Sequence, residues 1–184
     1  MTSVSALADL VRARPPRLGP VRLVCIDGPA GSGKTTLAER LGDALGAAVL
    51  HLDDLYEGWS GLDGVFDRLE EQVLTPFAAG RPGRYQRYDW EAGHFAEWRD
   101  VPLPEHLVVE GCGSAPAALA ARAVLVVWVE APAPVRLARG LARDGEQMRA
   151  EWLRWQELED AYFVRERARE RAEVKVDGTT DLDP

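Results

Sequence analysis

Short apolar runs alternate along the chain with longer stretches in which apolar residues recur every three or four positions. The apolar runs predict five strands, at 21–26, 47–52, 106–109, 123–129 and 174–176. The helical period predicts helices at 3–12, 34–45, 65–79 and 134–143, and a long helix from 146 or 148 to about 171. Because strands alternate with helices, we expect an α/β fold with a five-stranded parallel sheet flanked by helices.

A glycine-rich loop at 28–35, with the sequence GPAGSGKT, directly follows the first predicted strand. The pattern G-x-x-x-x-G-K-[ST] between a strand and a helix is a P-loop, in which backbone N–H groups cradle a triphosphate. Lys34 would reach the β- and γ-phosphates, and the Thr35 hydroxyl would hold Mg²⁺. The helix that follows would direct its positive end at the same anion. The predicted ATP contacts are Gly28, Ala30, Gly31, Ser32, Gly33, Lys34, Thr35 and Thr36.

The choice of basic residues supports this interpretation. Of the 22 basic residues only two, Lys34 and Lys175, are lysines. A lysine at the phosphate position of so arginine-rich a chain indicates a need for a compact ammonium group rather than a planar fork. We therefore expect a P-loop NTPase fold that binds ATP and Mg²⁺.

Acidic residues follow two other predicted strands. Asp53 and Asp54 come after the second strand, and Glu110 comes at the end of the third. Because the carboxyl ends of parallel strands meet at one edge of a sheet, we expect these carboxylates beside the P-loop. Either aspartate could take a proton from an acceptor hydroxyl or hold Mg²⁺ through water, and Glu110 could hold the metal. An acidic turn and a solvated strand end are the alternatives without chemistry.

Arginines at spacings of three and four lie on the helix predicted at 134–143. Arg136, Arg139 and Arg143 would share one face, and Arg149 lies just beyond them. We expect a lid at about 139–150, in which Arg139 and Arg143 clamp the transferring phosphoryl group. A solvated basic face is the alternative.

Aromatic residues crowd the segment between the second and third predicted strands, which is also rich in glycine and aspartate. They could stack on a planar substrate, or they could pack an irregular insert. These residues are Tyr56, Trp59, Tyr85, Tyr88, Trp90, Phe95 and Trp98.

Composition excludes several other classes. A chain of 184 residues with 46% hydrophobic residues predicts a single domain over 1–184, and a net charge of −8 argues against a broad nucleic-acid face. No apolar run is long enough to predict a membrane span. Cys25 and Cys112 lack metal-like spacing, so we interpret them as buried thiols in a reducing cytoplasm. The sequence leaves open whether identical chains assemble into a homo-oligomer.

Five elements occur in an order that resembles the uridine kinase-like branch of the P-loop nucleoside and nucleotide kinases. They are the loop at 28–35, the run DDLY at 53–56, YDW at 88–90, VEG at 109–111 and the arginine segment 136–144. The resemblance implies Mg·ATP as the phosphoryl donor, Asp53 as the base for the acceptor hydroxyl and Tyr56 beside the substrate. It also implies that Tyr88 and Trp90 line a nucleoside pocket, and that Arg139 and Arg143 belong to the lid.

The chain departs from that family's pattern in a short insert and in its lid, where GEQMR at 145–149 replaces the expected Glu-Arg-Gly-Arg run. The expected activity is transfer of the ATP γ-phosphoryl group to a hydroxyl of a small, nucleoside-like molecule. Another hydroxylated metabolite, such as a sugar acid or a coenzyme precursor, is an alternative acceptor. A P-loop NTPase without an acceptor is a third alternative, although the chain lacks the asparagine needed for a GTPase guanine-reading motif.

Overall fold

The computed structural model describes residues 3–180. Its strands are β1 Arg22–Asp27, β2 Ala48–His51, β3 Gly83–Asp89, β4 His94–Val101, β5 His106–Glu110, β6 Leu125–Glu130 and β7 Val174–Asp177. Its helices are α1 Val4–Arg12, α2 Lys34–Leu45, α3 Val65–Leu69, α4 Thr75–Ala78, α5 Ala117–Ala120, α6 Ala133–Asp144, α7 Arg149–Glu166 and α8 Ala168–Arg171. None of the helices in this part of the chain is both long and apolar enough to cross a membrane.

Five strands form one parallel sheet in the order β2-β5-β1-β6-β7. This confirms the predicted α/β fold with a five-stranded parallel sheet. Side chains alternate across it: Leu23 and Cys25 of β1 face one layer, and Val24 and Ile26 face the other. Helices α1 and α2 bury their apolar faces in the second layer, whereas α3, α4, α5 and α7 contribute to the first. The order places β1 at the centre, so the loop that follows β1 is held from both sides.

The segment between β2 and β5 contains more structure than we expected. The helix predicted at 65–79 is present as α3 and α4, joined by a π-helical turn at Glu70–Leu74. Strands β3 and β4 form an antiparallel hairpin that the hydrophobic pattern did not indicate. A register shift between Gln86 and Tyr88 interrupts the alternation of inward and outward side chains. Because a strand is recognised in a sequence by this two-residue period, the hairpin left no clear pattern.

The long helix predicted to reach Arg171 is divided. Helix α7 ends at Glu166, and Arg167 takes a left-handed conformation (φ 53°) before α8 begins. A single non-glycine residue in this conformation ends a helix without any glycine or proline that would mark the boundary. The predicted extent of this helix was therefore wrong at its carboxyl end.

The segment predicted to form a lid, residues 139–150, consists of the end of α6, a turn at Gly145 and the start of α7. Helix α6 packs closely on α7 where Gly140 meets the indole of Trp152, and a Cβ added at Gly140 would overlap that ring. Gly140 lies inside a helix, where alanine is otherwise preferred. The close approach of the two lid helices therefore explains this glycine.

Gly140→Ala is expected to lower the free energy of unfolding by up to about 2 kcal/mol. Overpacking costs roughly 1–3 kcal/mol, and the gain in helix propensity returns only about 1 kcal/mol. Gly64→Ala is the matched control, because a Cβ there meets open space and φ is −94°. Urea denaturation of both variants tests the packing, and a Gly140→Ala protein that is as stable as Gly64→Ala would contradict it.

Candidate active site

The P-loop leaves the centre of the sheet between β1 and α2. Gly28 takes a positive φ of 138° and lies so close to the Val129 carbonyl of β6 that no side chain would fit. Gly33 takes a left-handed conformation (φ 103°) at the position before α2, where glycine bears no steric penalty. The loop therefore turns sharply enough to expose the first N–H groups of α2, which have no carbonyl partners within the helix.

Asp27, the last residue of β1, joins the start of the P-loop to the loop that follows β5. Its buried carboxylate accepts N–H groups from Gly28 (2.7 Å), Gly113 (2.9 Å) and Ala115 (2.9 Å). Burial raises the pKa of Asp27 to about 6, although the three backbone hydrogen bonds oppose that shift. Sequence reasoning missed this residue, whose only signal was a carboxylate that directly follows the apolar residues 23–26 of β1.

Lys34 is buried at the start of α2, and its Nζ donates to the Pro29 carbonyl at 2.9 Å. Burial opposes its positive charge, but the groups around it outweigh this effect and raise its pKa. The surrounding carboxylates are those of Glu110, Glu159 and Asp27. The ammonium is thus charged and held at the loop before any phosphate arrives.

The loop has the donors that a triphosphate needs. The Ser32 hydroxyl is buried and has no hydrogen-bond partner within residues 3–180, and the N-terminus of α2 opens at the same place. A phosphate group would provide acceptors for these groups and a counter-charge for Lys34. The residues present therefore fit the polyphosphate of a nucleotide.

Thr35 and Glu110 meet beside the loop. The Thr35 hydroxyl lies 3.2 Å from Glu110 Oε1, and the buried Glu110 carboxylate also contacts His51 Nδ1 at 2.7 Å. Hydrogen bonding to Glu110, the largest effect, raises the pKa of His51 against the cost of burial. A hydroxyl and a carboxylate are the oxygen ligands that Mg²⁺ prefers, so the predicted pair fits that ion. Sequence reasoning had given His51 no role.

Asp53 and Asp54, which the sequence could not tell apart, have different surroundings. Asp53 opens onto a cavity of about 570 Å³ beside Lys34. Desolvation by the surrounding protein raises its pKa, and the charge of Glu110 adds to the shift. Asp54 turns to the hairpin instead, where it accepts from the Tyr85 hydroxyl at 2.8 Å and contacts Arg99.

Two cavities meet at the P-loop. The cavity of about 570 Å³ is lined by Asp53, Glu110 and aromatic side chains, and a neighbouring cavity of about 400 Å³ is lined by Thr36, Arg139 and the end of β7. Five residues line both cavities: Gly31, Lys34, Thr35, Arg143 and Trp152. Groups bound in the two cavities would therefore meet at Lys34, Thr35 and Arg143.

The lid arginines do not form the single face that their spacing predicted. Arg136 is buried in an ion pair, Arg149 pairs with Glu146, and neither lines a cavity. Arg139 donates to the backbone carbonyls of Gly31 and Gly178, whereas Arg143 is an exposed side chain paired with Asp144. Of these four arginines, Arg139 and Arg143 are the two that line the cavities.

Two of the three aromatic residues predicted to contact the substrate line the larger cavity. Tyr56 and Trp90 line the larger cavity, although the Tyr56 hydroxyl is already used to donate to the Cys112 carbonyl at 2.7 Å. Tyr88 does not line it: its ring is buried, and it packs against Trp90 and Phe95. The prediction that Tyr88 lines a nucleoside pocket therefore stays a prediction, and in this structure its ring packs within the hairpin region. Trp59, Trp152 and Trp155 complete the aromatic wall.

Comparison with known proteins supports this architecture. A tRNA dimethylallyltransferase of Cereibacter sphaeroides is 36% identical over 146 residues, which are 74% of this chain and 46% of that protein. The chain thus spans less than half the length of this relative.

Two solved structures share the fold. A protein described as a possible uridine kinase from Bacillus stearothermophilus superposes with a TM-score of 0.69 at 22% identity, over 95% of this chain and 97% of that one. A protein of Silicibacter sp. TM1040 assigned as a fructose transport system kinase gives 0.64 at 21% identity, over 96% and 98%. These likenesses confirm the predicted P-loop NTPase fold and its similarity to a uridine kinase-like structure. The AAA domain family matches residues 24–170, and the chain belongs to this family of P-loop proteins.

Proposed function

We propose that this protein transfers the γ-phosphoryl group of Mg·ATP to a hydroxyl of a small, nucleoside-like molecule. The observation that carries the proposal is the meeting of two cavities at Lys34, Thr35 and Arg143. A P-loop that only hydrolysed ATP would have no use for a second, aromatic-walled cavity with a carboxylate beside the loop.

The residues of the P-loop would hold the donor in the smaller cavity. Lys34 and the N–H groups at the start of α2 would bind the β- and γ-phosphates, and Arg139 would lie along the nucleotide near the end of β7. Thr35 and Glu110 would hold Mg²⁺, which would neutralise charge that develops on the phosphate oxygens.

Asp53 is the proposed general base. As the acceptor oxygen bonds to the γ-phosphorus, the hydroxyl proton would pass to the Asp53 carboxylate and ADP would leave. Desolvation, the largest effect, raises the pKa of Asp53, which makes it a better proton acceptor than an ordinary aspartate. The contacts of Asp54 with Tyr85 and Arg99 support Asp53, rather than Asp54, as the base.

The larger cavity favours a flat, uncharged acceptor. Its aromatic wall offers ring faces, and the indole N–H groups of Trp90 and Trp152 are already bound to the Asp53 carbonyl and to Asp144. Its acidic lining residues, Asp53, Glu91, Glu110 and Asp144, outnumber Lys34 and Arg143. A sugar acid would meet repulsion from these carboxylates, whereas the base of a nucleoside could stack on the aromatic wall.

The tRNA dimethylallyltransferase relative suggests a second class of activity, transfer to tRNA. A chain with a net charge of −8 is poorly suited to a polyanionic acceptor, because affinity for nucleic acid comes chiefly from neutralised phosphates. We therefore keep the small-molecule acceptor, and we propose a cytoplasmic location because both cysteines are free and buried.

Lys34→Ala is expected to lower phosphoryl transfer about 10²–10³-fold, because a preorganised contact to the developing charge is lost. Transfer of labelled γ-phosphate to a panel of nucleosides, sugars and sugar acids measures this and identifies the acceptor. Lys175→Ala, which changes the other lysine at an exposed position of β7, should leave transfer unchanged. Full turnover by a folded Lys34→Ala protein would refute the phosphate assignment. ATP hydrolysis at a rate that no acceptor in the panel increases, with no labelled product, would refute the proposed kinase activity.

Asp53→Asn is expected to lower turnover about 10²–10⁴-fold, the usual worth of a general base, while ATP binding is kept. Asp54→Asn is the matched control, because Asp54 faces Tyr85 rather than the cavity. Steady-state turnover and ATP titration of both variants separate the roles. If Asp54→Asn were the more impaired of the two, the base would be misassigned.

Arg143→Ala is expected to lower kcat more than it raises KM for ATP, because the guanidinium acts on charge that develops during transfer. Arg143→Lys should be almost as impaired, since lysine lacks the planar fork that holds two phosphate oxygens. Arg154→Ala is the control on α7, where Arg154 is exposed and pairs with Glu151. An unchanged kcat in Arg143→Ala would contradict the clamp and indicate that Arg143 is only a solvated surface charge.

A further inference from the structure

Arg136 of α6 and Glu159 of α7 form a buried ion pair that the proposed reaction does not use. Arg136 Nη1 lies 2.7 Å from Glu159 Oε1, and the two side chains are 9% and 0% exposed. Among the ion pairs found within residues 3–180, it is the one in which both side chains are less than one tenth exposed. Stability alone does not account for such a pair, because apolar residues of similar volume are often as stabilising.

The pair is bonded to the backbone of the P-loop. Glu159 Oε2 accepts the N–H of Ala30 at 2.8 Å, and Arg136 Nη1 lies 3.4 Å from the carbonyl of the same residue. The remaining contacts are to neighbouring loops, from Arg136 Nε to the Ala131 carbonyl at 3.1 Å and from the Cys112 thiol to Glu159 Oε2 at 3.4 Å. One carboxylate thus joins both lid helices to the loop that would hold the phosphates.

We propose that Glu159 is a positioning residue for the P-loop, and that it acts through its hydrogen bond to the Ala30 N–H. With this N–H tied to α7, the Ala30 peptide is fixed in one orientation, and the donors that follow it turn toward the nucleotide. Arg136 neutralises the carboxylate and holds it in place. The proposal rests on the proposed binding of Mg·ATP at the P-loop.

The arrangement also links the lid to the loop. Arg136 lies near the start of α6, and Arg139 and Arg143 follow it on the same helix. The root of the lid is therefore fixed to Ala30, and closure would take place beyond this point, toward Gly145. A change in the pair would then alter nucleotide affinity even though neither side chain lines a cavity.

Two double variants separate positioning from simple charge pairing. Arg136→Met/Glu159→Gln removes both charges but keeps a side-chain oxygen that can accept from Ala30. Arg136→Met/Glu159→Leu removes the charges and the acceptor together. Affinity for Mg·ATP is measured by calorimetry, unfolding by urea, and Glu173→Gln is the control, because Glu173 forms an exposed pair with Arg14 at the opposite end of the sheet.

The glutamine double variant is expected to bind Mg·ATP with nearly wild-type affinity. The leucine double variant should bind about 10–100-fold more weakly, the usual effect of losing a residue that orients a ligand-binding group. Equal affinities of two folded double variants would overturn the proposal. If the leucine variant does not fold, Glu159→Asp replaces it, because the shorter side chain keeps its charge but does not reach the Ala30 N–H. Wild-type affinity of Glu159→Asp for Mg·ATP would then refute the proposal. A wild-type protein that does not bind Mg·ATP would refute the proposed function instead.

Discussion

The placement of Lys34, whose Nζ donates to the Pro29 carbonyl in a setting of buried carboxylates, is the feature on which the site depends. Asp27, Glu110 and Glu159 come from β1, β5 and α7, and all of them act on this ammonium. Each carboxylate would be costly alone in so apolar a place, and each is offset by backbone donors or by a cation. The lysine is consequently fixed before the nucleotide binds, which lowers the reorganisation that the reaction requires.

Topology explains why these groups converge. In the order β2-β5-β1-β6-β7, the central strand has neighbours on both sides, and the carboxyl ends of all five strands lie at one edge. The P-loop follows β1, Asp53 follows β2 and Glu110 ends β5, so a parallel sheet brings together residues far apart in the chain. This is why the P-loop, Asp53 and Glu110 could be predicted from the sequence and then found beside one another.

Other parts of the site could not be predicted, for physical reasons. Glu159 lies in a helix with many charged residues and no clear apolar face, and its burial depends on how α7 packs beside the P-loop. Arg136 has the same helical spacing as Arg139 and Arg143. It alone of the three is buried, because it lies near the start of α6, where it meets Glu159. Tyr88 was predicted from its motif, yet its buried ring packs against Trp90 and Phe95 and does not line the cavity. Local pattern indicates which residues can react, whereas packing decides which of them face the ligand.

The proposed lid has a buried ion pair at one end and an exposed guanidinium farther along the same helix. At its root, Arg136 is enclosed with Glu159 and bonded to the P-loop; two turns later Arg143 is exposed and held by its neighbour Asp144 and over the Trp152 ring. An exposed ion pair of this kind is worth little, so Arg143 can exchange Asp144 for a phosphate at small cost. In the proposed function, the same helix would therefore both position the P-loop through Arg136 and present Arg143 where the two cavities meet.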